Sequence, residues 1–105
     1  MKERKKEKTT EILHRLAAEF IRDNGSASSL ITVTRVEIND VGKDVWIYFT
    51  TLPDIMQETA LKFLQRKTSE FIEYAREHSR MGIIPKIHFK IDFGERNRQH
   101  LDTIS

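Results

Sequence analysis

The sequence predicts a single α+β domain with helices on one face of a three-stranded mixed sheet, in the order α-β-β-α-(kink)-α-β. Three observations carry this prediction. In Met81–Phe93, Ile87, Phe89, Ile91 and Phe93 alternate with Lys86, His88, Lys90 and Asp92, the period of a strand with one buried face. Two β-branched-rich stretches are separated by the turn residues Asn39–Asp40–Val41–Gly42. Finally, the apolar stripe of the later helical segment changes phase near Lys67–Ser69.

In chain order, the first element is an amphipathic helix ending near Asn24. Ile12, Leu13, Leu16, Ala17, Phe20 and Ile21 fall on one stripe. Thr9 caps its start, or the helix runs back into the lysine-rich beginning of the chain. Gly25 is expected to cap its end in the left-handed conformation, and Ser26–Ser29 reads as loop. Leu30–Ile38 is a strand, apolar at alternate positions on both faces, which favours an interior place in the sheet. Asp44–Thr51 completes a hairpin, with Val45, Ile47 and Phe49 on one face and Trp46 and Tyr48 on the other.

Pro53 and Asp54 open a helical segment extending roughly to Arg80. Met56, Ala60, Phe63 and Leu64 define one stripe, and Phe71, Ile72 and Ala75 another, rotated by about 60°. A straight helix would bury Lys67 unpaired, which is expensive. A break at Lys67–Ser69 avoids that, with Thr68 and Ser69 offering competing side-chain hydrogen bonds. Gly82 gives the helix a place to end, and Pro85 biases Ile84 towards an extended conformation. Ile87, Phe89, Ile91 and Phe93 should then pack under the helices, leaving the opposite sheet face open. Residues 1–93 form the domain, with a basic N-terminal arm. Residues 94–105 form a charged tail that is helical for a turn or two or disordered.

Composition narrows the function classes. The chain has 105 residues, 38% apolar and 32% charged, with a net charge of +2 and a pI near 9.0. That describes a folded, charged-surface protein with room for one core. No apolar run approaches the ~20 residues of a membrane-spanning helix. The absence of cysteine excludes disulfides and thiol chemistry. The N-terminus lacks an apolar signal region, and Glu3 and Glu7 argue against a transit peptide, so cytoplasm is the default.

The basic start, the amphipathic first helix, ITVTRVEI, VWIYF, IIPKIHFKID and the charged exit Glu95–Arg96 together resemble the ribosome-binding factor A family. The resemblance covers nearly the whole chain. It implies a KH-like domain of type II topology and a monomeric assembly factor of the small ribosomal subunit. Such a factor binds 16S rRNA late in maturation and during cold adaptation, without cofactors and without enzymatic activity. Many KH domains hold RNA with a GxxG loop. Glycines stand only at 25, 42, 82 and 94 here, so that loop is absent. The family has an Ala-x-Gly kink instead, and Thr68, Ser69 and Glu70 stand at the matching positions, a departure that brings in a negative charge.

The candidate RNA-binding residues are Lys2, Arg4, Lys5, Lys6 and Lys8 in the arm, and Arg66, Lys67, Thr68, Ser69, Arg76 and Arg80 along the kinked helices. The basic residues would neutralise phosphates while kink and strand recognise shape. The plainer reading is a solvated helix face interrupted by Glu70, Glu73 and Glu77. Trp46 and Tyr48 could stack bases on the open face, but shielding the sheet or packing against the tail is the preferred reading. His14, His78, His88 and His100 have no metal-ligand spacing, and His88 is expected on the open face. No phosphate-binding loop, nucleophile elbow or base-partnered serine is present, so no enzymatic chemistry is expected. The rival function class is a protein-interaction module using the open sheet face or the basic helix.

Overall fold

The computed structural model describes residues 3–25 and 30–94. Helix α1 spans Glu3–Asn24, strand β1 Leu30–Ile38 and strand β2 Asp44–Leu52. A cis Leu52–Pro53 bond leads into a 3-10 turn, Asp54–Met56. Helices α2 (Gln57–Arg66) and α3 (Thr68–Glu77) and strand β3 (Lys86–Ile91) complete the fold. The sheet order is β1-β2-β3, with β1 antiparallel and β3 parallel to β2. All three helices contribute to a core on one face of this mixed sheet, as the periodicities predict.

The helix stripe and the strand alternations become that core. Leu13, Leu16, Ala17, Phe20 and Ile21 of α1 are buried with Val45, Ile47 and Phe49 of β2 and Ile87, Phe89 and Ile91 of β3. Phe71 is fully buried between the layers. Its ring stands edge-on to Phe20 (5.5 Å, 62°) and to Phe89 (5.8 Å, 65°), so one side chain joins α1, α3 and β3. Such edge-to-face pairs are favoured by the ring quadrupoles beyond the area they bury.

The helical segment breaks at Lys67, whose φ and ψ are −92° and 2°. This is the sparsely allowed bridge region. The hydrogen-bond path bends without being cut. The Lys67 amide donates to both Phe63 and Leu64 carbonyls (3.0 and 3.1 Å), and the Phe71 amide donates to the Lys67 carbonyl (2.9 Å). The Thr68 hydroxyl donates to the Leu64 carbonyl at 2.9 Å, the back-bonding that bends helices. The break lets α2 lie on β3 while α3 turns to meet α1 as well. Thr68, Ser69 and Glu70 form the first turn of α3, so the break falls one residue ahead of them.

Four expectations need correction. β1 is an edge strand, and its two-faced apolar pattern comes from a bulge. The register passes from Val33↔Phe49 to Arg35↔Tyr48, leaving Thr34 unmatched. The extra residue restores phase, so that Val33, Val36 and Ile38 all stand opposite the buried Phe49, Ile47 and Val45. Gly25 is not left-handed. It is glycine because a Cβ there would lie 2.6 Å from the Ile21 carbonyl oxygen, which accepts the Gly25 amide.

Gly82 does not end the helix either. Helix α3 stops at Glu77, where the Ser79 hydroxyl takes the Ala75 carbonyl (2.6 Å), and Gly82 makes a later left-handed turn at φ 70°. Phe93 lies past the end of β3 and is 49% exposed, so the buried alternation stops at Ile91. The basic start is helical from Glu3 onwards rather than a separate arm. The expected loop 26–29 and tail 95–105 lie outside the described residues.

Candidate nucleic-acid interface

The helix break and the free edge of β3 together form a groove. In the parallel ladder the Lys86 amide donates to the Lys43 carbonyl and the Asp92 amide to the Phe49 carbonyl (2.9 and 2.7 Å). With a period of two, the even-numbered residues of β3 turn their backbone groups to β2, and Ile87 and Phe89 turn their amides and carbonyls to the free edge. Gln65 and Thr68 line the other wall, and Ile87, His88, Phe89 and Lys90 line the strand side, around a volume of about 430 Å³. Arg66 and Ser69, next in sequence to the lining residues, stand at its rim, with Lys62 one turn earlier. An extended polar strand with acidic groups fits such a cleft: backbone donors below, an amide and a hydroxyl on one wall, cations around it.

The predicted residues divide into two groups. Arg66, Lys67, Thr68 and Ser69 are brought together at the break. Lys67 is only partly available, its ammonium 3.3 Å from the Glu70 carboxylate and 5.9 Å over the Phe63 ring. Arg76 is bound to Glu73 at 2.8 Å, and Arg80 is exposed beyond α3. The basic start lies elsewhere, on a helix that packs over β1, at the opposite edge of the sheet from β3. Lys5 and Lys8 are exposed there, while the Lys6 side chain is only 15% exposed and reaches Asp40 of the hairpin turn at 3.4 Å. Of Arg4 only the backbone is described, and Lys2 lies outside the described residues.

Sequence reasoning missed Gln65, Lys62, Lys86, His88 and Lys90. The alternation of β3 does put Lys86, His88 and Lys90 on one face. That β3 is an edge strand, and therefore faces a groove, follows only from the strand order.

On the open face the register defines two rows: Glu37, Trp46 and His88, then Arg35, Tyr48 and Lys90. The rings of Trp46 and His88 stack at 5.4 Å and 19°. A hydrogen bond of 2.9 Å between His88 Nε2 and Asp44 Oδ1 fixes the imidazole, and Asp44 is held in turn by the Asn39 amide. The Arg35 guanidinium lies 3.8 Å over the Tyr48 ring, donates to Glu37 at 2.6 Å and approaches Asp92 at 3.5 Å. Asp92 also accepts from the Thr34 hydroxyl and the Gly94 amide. The shielding expected of Trp46 and Tyr48 is thus supplied by neighbours on the sheet itself.

Away from the groove, Tyr74 of α3 donates to Glu19 of α1 at 3.2 Å. Burial, reinforced by this carboxylate, raises the Tyr74 phenol above the usual tyrosine range. Among the described residues no group of three or more His, Cys, Asp or Glu side chains could hold a metal ion, and no helix is long and apolar enough to cross a membrane.

The same architecture occurs in two solved structures. The crystal structure of ribosome-binding factor A from Thermus thermophilus superposes with a TM-score of 0.72 at 24% identity, covering 82% of this chain and 94% of that one. The solution NMR structure of a Thermotoga maritima protein described as a putative ribosome binding factor A gives 0.60 at 22% identity, covering 86% of each. At these identities the likeness establishes the fold. No curated protein matches the chain. The family model of ribosome-binding factor A matches residues 2–105. With that match running through every element described above, from the basic first helix to the alternating last strand, this chain belongs to the ribosome-binding factor A family.

Proposed function

We propose that this protein binds immature small ribosomal subunits through 16S rRNA and assists their late maturation, including rRNA processing. The observation that carries the reading is the open cationic groove between the α2–α3 break and the free edge of β3, in a chain matched to the family from residue 2 to 105. A single-stranded or distorted rRNA segment lies along β3, its phosphates met by Lys62, Arg66 and Lys90 and its polar edges by Gln65, Thr68 and the strand backbone. Lys67 joins by exchanging Glu70 for phosphate. Lys5 and Lys8 form a separate contact at the far edge, so the molecule touches rRNA at two places and its orientation on the subunit is constrained.

In this reading the protein acts as a cytoplasmic monomer without a cofactor. It holds or reshapes rRNA near the decoding region, contributes to cold adaptation and leaves when maturation is complete. No covalent step is involved; binding free energy alone does the work.

A protein-interaction module is the second reading, and one observation favours it. Leu30 and Leu52 stand opposite each other in the register at 63% and 68% exposure, and Ile55 is 85% exposed. Fractionation of cell extract on a sucrose gradient separates the readings. Co-migration with free small subunits, and not with mature ribosomes, is the expected result. Absence from every ribosomal fraction would overturn the rRNA reading in favour of a non-ribosomal partner.

A further inference from the structure

We propose that the Trp46–His88 pair is a base-stacking platform that receives an unstacked base from an RNA strand lying in the groove. The inference rests on the groove reading above and adds to it a second subsite, on the open sheet face, for the same ligand.

Trp46 belongs to the central strand and His88 to the edge strand, directly opposite in register. Their rings are stacked nearly parallel, so the indole covers one face of the imidazole. The other face is turned towards the free edge, where no further strand lies, and His88 itself lines the groove. A base leaving the groove over the rim of β3 therefore meets a ready aromatic face and extends the stack to three rings. The Asp44 contact at 2.9 Å holds the imidazole in place before the base arrives, so little ordering is needed on binding.

Charge on the same face selects the occupant. Lys86 and Lys90 flank His88 on the same side of β3, both exposed and neither paired with a carboxylate among the described residues. The β1 side of the face is different, because Arg35 is engaged by Glu37 and by Asp92. Free cations on either side of an aromatic stack suit a nucleotide, whose base and phosphates present the two complementary features. They do not suit an apolar peptide, which would bury two unpaired lysines.

Trp46 is the sole tryptophan of the chain and reports on its own platform. The experiment titrates the full-length protein with a short dye-labelled single-stranded RNA, reading anisotropy of the dye and emission of Trp46 together. The expected result is a saturable change in Trp46 emission that tracks the anisotropy. His88→Ala should bind about tenfold more weakly, and His88→Phe, which keeps an aromatic face, should stay within about threefold of wild type. Replacing the bases by abasic sites should likewise weaken binding to wild type, with the phosphates unchanged. If RNA binds with Trp46 emission flat, and both His88→Ala and the abasic ligand retain wild-type affinity, the platform is wrong while the groove reading stands. If anisotropy shows no binding of any RNA, both fall. Circular dichroism of each variant identifies loss of fold, and the abasic ligand tests the platform without any substitution.

Discussion

The two edges of the sheet are built on opposite terms. At the β1 edge the strand carries a bulge at Thr34 and lies under α1, and its Arg35 is engaged by a ring and two carboxylates. Bulges and satisfied charges are how natural sheets blunt an edge against stray pairing. At the β3 edge the strand is short and regular, its outward amides face a groove, and Lys86 and Lys90 have no ion-pair partner among the described residues. The chain has closed one edge and left the other available. The difference shows that the count of basic residues is a poor guide to a binding surface; what matters is which cations lack an internal partner. Lys6 and Arg76, both candidates by sequence, are engaged, whereas Lys90 was overlooked and is not.

The contrast can be broken at its common support. Phe71 joins α1, α3 and β3, so Phe71→Ala should loosen both edges at once. A fully buried phenylalanine truncated to alanine costs about 3–5 kcal/mol, a large part of the ~5–15 kcal/mol available to a small domain. Urea denaturation measures it, and a loss below about 1 kcal/mol would show that Phe71 is not the hub described.

A second pair of variants sharpens the contrast directly. Lys90→Gln should lower the slope of log affinity against log salt for single-stranded RNA by about 0.7 while leaving stability nearly unchanged. Arg35→Gln should do the reverse, costing about 1 kcal/mol of stability from its ring and carboxylate contacts with RNA binding intact. Equal effects of the two on RNA binding would erase the distinction between the edges.

The smallest effect is expected from deleting Thr34. The deletion leaves Ile31, Val33, Val36 and Ile38 in unbroken alternation, so the fold should persist with its core face intact. It also removes the bulge and the hydrogen bond from Thr34 to Asp92. The straightened edge should then self-associate at high concentration, which light scattering detects. A deleted protein that stays monomeric would mean that α1 rather than the bulge protects this edge.

Much of the architecture was legible in advance, because it follows from local periodicity. The stripe from Ile12 to Ile21, the Val45–Phe49 alternation and the change of phase around Lys67 each oblige the backbone to present one apolar face, and the break follows from the cost of burying an unpaired lysine. The misreadings share a physical cause. A bulge produces the same two-faced pattern as an interior strand. A glycine required by close approach to Ile21 is indistinguishable from one required by a left-handed turn. The end of α3 was decided by the Ser79 hydroxyl rather than by the next glycine.

The candidate site was less legible for the same reason. Arg66 to Ser69 could be named from the break, yet the groove also needs Gln65, His88 and Lys90, which come together only because β3 pairs with β2 and not with β1. By itself, the sequence determined the elements, their order, the buried faces and the place of the kink, since these depend on residues within a turn or two of each other. Only the tertiary structure decided which strand is the free edge, which lysines keep their charge unpaired and that His88 stacks on Trp46. Those outcomes depend on partners tens of residues apart, and periodicity carries no information about long-range pairing.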